Sequence, residues 1–196
     1  KFTDTAFKND DLYAYIVRSE KAHAIIKNID TESAKSQSGV ELVITGDEAK
    51  EFWKPISPTM DLLDLKLPNR YPLATDKVVF IGEPVVLLIA QTKDEAQYAA
   101  QKISIEYEEL PVNTDATKSL QTHGSGILYG AWNDNVQVDF SFENGPTDDI
   151  FYSADLVIDE TIDSHRFGAM PMETRAVRAD FDDFEKSLVV HASTQV

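Results

Sequence analysis

The apolar positions of this chain change period several times, and the clearest succession lies in residues 76–111. Val78, Val79, Phe80 and Ile81 form a short run rich in β-branched residues, which predicts a strand. Gly82-Glu83-Pro84 interrupts it with one permissive φ and one fixed φ, the chemistry of a turn. Residues 85–90 are a second, continuous apolar run, as in a strand covered on both faces. Thr92-Lys93-Asp94-Glu95 has the spacing of a capping box, and Ala96, Ala99, Ala100 and Ile103 follow at helical intervals. Asp94 and Glu95 suit the positive end of that helix dipole, and Lys102 its negative end. The period then drops to two: Ile103, Ile105 and Tyr107 share one face, Ser104, Glu106 and Glu108 the other. Pro111 ends the unit.

Elsewhere the pattern is shorter-ranged. Residues 12–17, 24–29 and 40–45 read as strands of aromatic and β-branched residues. Between the last two, Asp30 or Thr31 is the expected N-cap of a helix and Gly39 its C-terminal residue. Gly46-Asp47 leads into a short helix over 48–52. Residues 54–71 carry Pro55, Pro58 and Pro68 and read as a loop, with a brief strand as an alternative at 60–67. The order strand, strand, helix, strand thus occurs twice, which predicts a sheet with helices packed on one face. From 112 to 146 the composition shifts to Asn, Thr, Asp, Ser and Gly, a crossover with its most flexible point at 123–126. Beyond it Thr147 is the expected cap of a helix, and residues 156–162, 176–181 and 188–192 read as strands. A second domain therefore begins near residue 130.

Composition narrows the classes of function. A hydrophobic share of 42% and a charged share of 27% are those of a globular domain. A net charge of −16 repels phosphate backbones and anionic headgroups, so neither nucleic acid nor a membrane surface is an expected partner. The chain has no cysteine, which excludes disulfides, thiolate metal sites, iron–sulfur ligation and a cysteine nucleophile from it. No apolar run approaches the roughly 18 residues of a membrane span, and a cytoplasmic setting is expected. The first residue is Lys1, as in a piece of a longer polypeptide.

Most familiar chemistries find no constellation. His23, His123, His165 and His191 are too far apart in sequence for a short metal-ligand motif, so no metal ligand and no catalytic residue is assigned. The acidic pairs Glu108-Glu109 and Asp182-Asp183 sit at strand ends, where solvation is the default. Neither a nucleophile elbow nor a glycine-rich phosphate loop is present. Two late segments remain. Residues 164–175 are non-periodic, with Met170, Pro171 and Met172 among polar groups, and there Glu173 is expected simply to pair with an arginine. Ser193-Thr194-Gln195 leaves a strand, where an amide can reach a ligand.

An ordered series of short stretches adds a resemblance. RSEKAHA at 18–24, IDT at 29–31, Gly82-Glu83-Pro84-Val85, EYE at 106–108 followed by Leu110-Pro111, Asn135-Val136, Ala154-Asp155, PMETR at 171–175 and STQ at 193–195 keep order and spacing. Together they resemble the large molybdenum-binding subunits of the xanthine dehydrogenase, aldehyde oxidoreductase and carbon monoxide dehydrogenase family. The resemblance implies an α+β fold: an α/β hammerhead-like sheet with helices packed on it over 1–115, a linker over 116–130, and the beginning of a molybdenum-cofactor-binding domain over 131–196. It implies oxidation of an aldehyde or aromatic heterocycle with molybdopterin as cofactor, and iron–sulfur and flavin subunits or domains as electron carriers. It matches Gln195 to a cofactor-approaching glutamine, and it assigns no catalytic role to Glu173. The family's glycine-rich cofactor loop and its late glutamate base are missing from this sequence, so the chain is expected to need the remainder of the subunit and to bind no cofactor alone. A non-catalytic assembly module with a hammerhead fold is the alternative.

Overall fold

The computed structural model describes residues 2–5, 7–56, 65–142 and 144–194. Two compact units arise, one from residues 12–141 and the other from residues 1–11 together with 142–196.

The larger unit contains strands β1 (Tyr13–Arg18), β2 (Ala24–Asp30), β3 (Val40–Thr45), β4 (Lys77–Val78), β5 (Pro84–Ala90) and β6 (Ser104–Glu109), with helices α1 (Glu32–Lys35), α2 (Gly46–Ala49), α3 (Lys93–Ala100) and α4 (Ala116–Ser119). The strands form two antiparallel sheets of order β1-β5-β3 and β4-β2-β6. Each sheet thus mixes strands from the two halves of the sequence: β2 pairs β6, and β3 pairs β5. The continuous apolar run of β5 places it in the middle, with Val85, Val86, Leu88 and Ala90 buried. One core cluster draws on both sheets and on the alanine face of α3, namely Ala96 and Ala99, with Ile105 and Tyr107 packed against it. Small side chains let α3 lie close to the strands, and the alternation of β6 delivers alternate residues to that core. Antiparallel sheets with a helix packed on them make this an α+β fold, as expected.

Local differences from the sequence reading have identifiable causes. The run from Val78 to Ile81 stops pairing after Val78. The Val79 N–H donates instead to the Glu83 carboxylate at 2.6 Å, and the chain folds into a turn closed by Glu83 N–H to Phe80 C=O. Gly82 in that turn has φ +88°, the conformation that glycine adopts most freely. The Thr92 hydroxyl caps α3 by accepting from Glu95 N–H, but the Glu95 carboxylate takes the Thr92 hydroxyl rather than its backbone amide. The reciprocal box forms at Thr45, whose amide donates to Glu48 at 2.7 Å while its hydroxyl accepts from Glu48 N–H. That box starts α2 two residues earlier than the sequence suggests. Gly46 is required there, because a Cβ would overlap the Ala74 carbonyl. Helix α1 ends at Lys35, short of Gly39. Lys102 lies beyond the end of α3, its ammonium 4.7 Å from the Tyr98 ring centroid. Of the alternative strand at 60–67, residues 60–64 lie outside the described residues and 65–67 are not in a strand. The crossover after Pro111 contains α4, capped by the Asp115 carboxylate, and a short 3-10 turn at Gly124–Gly126.

The smaller unit holds α5 (Thr147–Ser153) and the antiparallel hairpin of β7 (Val177–Asp182) and β8 (Ser187–Ala192). The Asp182 carboxylate accepts from the amides of Phe184 and Glu185 and shapes the connecting turn. Pro146, not Thr147, occupies the N-cap position of α5. Residues 156–162 have strand composition but form no strand, and Leu156, Ile158 and Ile162 are exposed. An apolar alternation makes a strand only where a ladder partner exists, and no described strand pairs with this segment.

Candidate functional site

The two late segments singled out in the sequence meet at the open end of the β7–β8 hairpin. Val177 and Ala192 are the last ladder pair there. One residue farther, Ser193 N–H donates to Ala176 C=O at 3.1 Å. The Ser193 hydroxyl donates to Thr174 C=O at 2.8 Å and accepts from Ala176 N–H at 2.8 Å. A single side chain thus occupies both polar groups of a bend in the segment that carries Glu173 and Arg175. Gln195 and Val196 lie outside the described residues.

Glu173 does not find the expected arginine. Its Oε1 accepts from the backbone N–H of Thr3 at 2.9 Å. The N-terminal segment is fastened to the hairpin as well. Arg178 donates to Asp11 through Nε at 2.8 Å and Nη2 at 3.0 Å, and lies 2.9 Å from Asp180; Lys8 donates to Asp180 at 2.7 Å. The Arg178 side chain is only 14% exposed, so this is a partly dehydrated network rather than a solvated pair. The Arg178 bonds and the Lys8 amide hold the Asp11 carboxyl down at about 2, and Asp11 in turn raises Arg178. Lys8 and then Arg178 likewise lower Asp180. Nothing local in the sequence joins Thr3 to Glu173 or Asp11 to Arg178, which is why the reading missed both.

The larger unit contains a separate polar feature. A cavity of about 300 Å³ is lined by Arg70, Glu83, Tyr129 and Trp132 among others. Burial raises the Glu83 carboxyl against the opposing pull of the Val79 amide and the Arg70 guanidinium, whose Nε lies 3.9 Å away. The Arg70 guanidinium sits 4.7 Å from the Phe80 ring centroid. An acidic residue inside an apolar run was the available signal, and the turn reading of Gly82-Glu83-Pro84 absorbed it.

The histidines behave as structural groups. His23 is buried with Nδ1 2.8 Å from the Pro111 carbonyl, His165 packs on the Phe167 ring, and His191 is an exposed residue of β8. Among the described residues no group of three or more His, Cys, Asp or Glu side chains could hold a metal ion. Nor is any helix among them long and apolar enough to cross a membrane.

Comparison with known proteins gives these features a context. A family model described as "aldehyde oxidase and xanthine dehydrogenase, a/b hammerhead domain" matches residues 2–111, and one described as "molybdopterin cofactor-binding domain" matches residues 130–196. The nicotine 6-hydroxylase large subunit of Paenarthrobacter nicotinovorans is 33% identical over 196 residues, covering all of this chain and 24% of that protein. The carbon monoxide dehydrogenase large chain of Afipia carboxidovorans is 29% identical, over 94% of this chain and 24% of its own length. Among solved structures, quinoline 2-oxidoreductase from Pseudomonas putida 86 superposes with a TM-score of 0.89 at 30% identity, over 99% of this chain and 24% of that one. The chain spans about a quarter of the length of these relatives. With its hammerhead match spanning more than half of its residues, the chain belongs to the aldehyde oxidase and xanthine dehydrogenase family.

Proposed function

We propose that this chain is the N-terminal portion of the large subunit of a molybdopterin-dependent hydroxylase that oxidises an aldehyde or an aromatic heterocycle, and that it is inactive alone. The observation that carries this reading is the succession of a hammerhead match and a cofactor-domain match along one chain. Relatives named for nicotine and quinoline support a nitrogen heterocycle as substrate class. The proposal assigns 1–115 to the hammerhead, 116–130 to a linker and 131–196 to the beginning of the cofactor domain. Its partners are the remainder of the subunit and the iron–sulfur and flavin units.

Molybdopterin suits the residues present as one contributing wall of its site. The Ser193 staple joins the PMETR segment to the end of β8, and the hydroxyl and guanidinium groups of these segments suit an anionic, hydrogen-bonding cofactor. Met170 and Met172, in the segment that leads to Glu173, are almost fully exposed, which supports other walls that come from elsewhere. When bound, the cofactor supplies the oxidation, with water as the source of oxygen. The part played by this chain is to hold and orient, with Gln195 offering its amide to the cofactor.

The test is dye-coupled oxidation by the complete, assembled enzyme across aldehydes and nitrogen heterocycles. Turnover of one class is expected, with Gln195→Ala lowering it roughly a hundredfold, as loss of a preorganised donor does. No oxidation of either class by an assembled, molybdenum-loaded enzyme contradicts the reading.

A further inference from the structure

We propose that the cavity of the larger unit is a binding site for a small planar lactam, whose ring N–H donates to Glu83 and whose carbonyl accepts from Arg70. Its volume of about 300 Å³ is at the lower end of the range for small-molecule sites. Two charged groups that line it are not hydrogen-bonded to each other: Arg70 Nε lies 3.9 Å from Glu83 Oε1. Each is held by a different contact. The other Glu83 oxygen accepts from Val79 N–H, and the Arg70 guanidinium rests over the Phe80 ring. The Glu83 side chain is 6% exposed and that of Arg70 44%, so the acceptor lies toward the protein interior and the donor toward solvent. Tyr129 and Trp132 add an aromatic wall, with ring centroids 4.7 Å apart. Asn135 braces their loop, accepting from Leu128 N–H at 2.8 Å and donating to Gly126 C=O at 3.1 Å. The Tyr129 hydroxyl senses the same two charges: burial raises it most, Glu83 adds to the rise and Arg70 opposes it. A carboxylate ligand would set a second negative charge beside buried Glu83, and an ammonium would meet the Arg70 charge. A neutral cis amide avoids both, because it carries donor and acceptor on one edge. A ring enforces that form, which open secondary amides disfavour, and an aromatic ring also suits the Tyr129–Trp132 wall. The cavity offers this chemistry whatever reaction the complete enzyme performs.

The experiment titrates the 196-residue chain with 2-pyridone and with N-methyl-2-pyridone, which keeps the carbonyl but has no N–H to donate. Nitrogen–proton NMR follows the Val79 amide, the Gly130 amide and the Trp132 indole. 2-Pyridone is expected to shift all three saturably with a single Kd, and the N-methyl compound to bind about tenfold or more weakly, the equivalent of one hydrogen bond to a charged group. Arg70→Ala should weaken 2-pyridone by a similar factor, and Trp132→Leu by about fivefold. The comparison of the two probes needs no variant, so it decides the matter even if a substitution disturbs folding. Absence of saturable shifts at these groups overturns the site. Equal affinity for the two probes overturns the pairing with Glu83. Binding of 2-pyridone that either substitution leaves unchanged, in a variant that keeps the spectral dispersion of the unaltered chain, overturns the assignment to this cavity.

Discussion

Arg178 grips Asp11 with two nitrogens, Nε to Oδ2 at 2.8 Å and Nη2 to Oδ1 at 3.0 Å, across 167 residues of sequence. A bidentate guanidinium–carboxylate pair of this kind specifies geometry as well as charge, and a lysine in its place would not reproduce it. It ties the N-terminal segment to β7. The Asp11 carboxyl is lowered in the folded chain to about 2. A group whose value falls on folding stabilises above its unfolded value and loses that contribution as the pH drops toward the folded one. The clasp is therefore expected to be intact above about pH 4 and to release between about pH 4 and 2. Carboxyl resonances followed by NMR should show Asp11 titrating near the lower end of that window. Arg178→Ala should return it toward the ordinary aspartate range, and an Asp11 that titrates normally in the unaltered chain contradicts the pairing.

Glu83 carries the opposite sign. Burial raises its carboxyl, so folding favours the protonated form and stability is expected to decline as pH rises from the unfolded glutamate value through the folded one. Glu83→Gln keeps an acceptor for the Val79 amide and removes the buried charge, and should abolish this decline in thermal melts taken from pH 4 to 8. Glu83→Ala leaves the Val79 N–H without that partner and is expected to destabilise by about 1–3 kcal/mol. Equal pH dependence in the unaltered and Glu83→Gln chains would refute the assignment.

The hammerhead was legible because its signals are local. β5 announced its central place by an unbroken apolar run, β6 by strict alternation, and α3 by Thr92 and its alanine face. The sequence reading was weakest where a side chain competes with the ladder. Glu83 captures Val79 and ends β4 early, and Glu48 makes its box with Thr45 where only a strand end was expected. It also failed where contacts are long-range. Residues 156–162 look like a strand but pair with no described strand, and Glu173 answers to Thr3 rather than to a neighbouring arginine. The candidate site was visible only as two motifs; their meeting through Ser193 depends on a hairpin register that periodicity does not encode.

The capping box at Thr45 gives a further check on local energetics. Thr45→Ala removes the hydroxyl that accepts from Glu48 N–H and donates to its carboxylate. Chemical denaturation should report a loss of about 0.5–2 kcal/mol. Serine at the same position retains the oxygen and should recover most of it. If alanine and serine behave alike, the box does not stabilise α2.

Leu88 tests the packing of β5. It is fully buried at the centre of the β1-β5-β3 sheet. Leu88→Ala is expected to lower unfolding free energy by about 2–5 kcal/mol, since the removed methyl groups leave a cavity that the surrounding strands cannot close. A change within about 0.5 kcal/mol, the range of surface substitutions, would mean that the core lies elsewhere.

The most direct test weighs cofactor against polypeptide. Molybdenum and pterin would be measured per chain in the purified 196-residue polypeptide and in the complete subunit prepared under the same cofactor-replete conditions. Neither should accompany the shorter chain, and one of each should accompany the complete subunit. Stoichiometric pterin on the 196-residue polypeptide, or a complete subunit that takes up none, would contradict it.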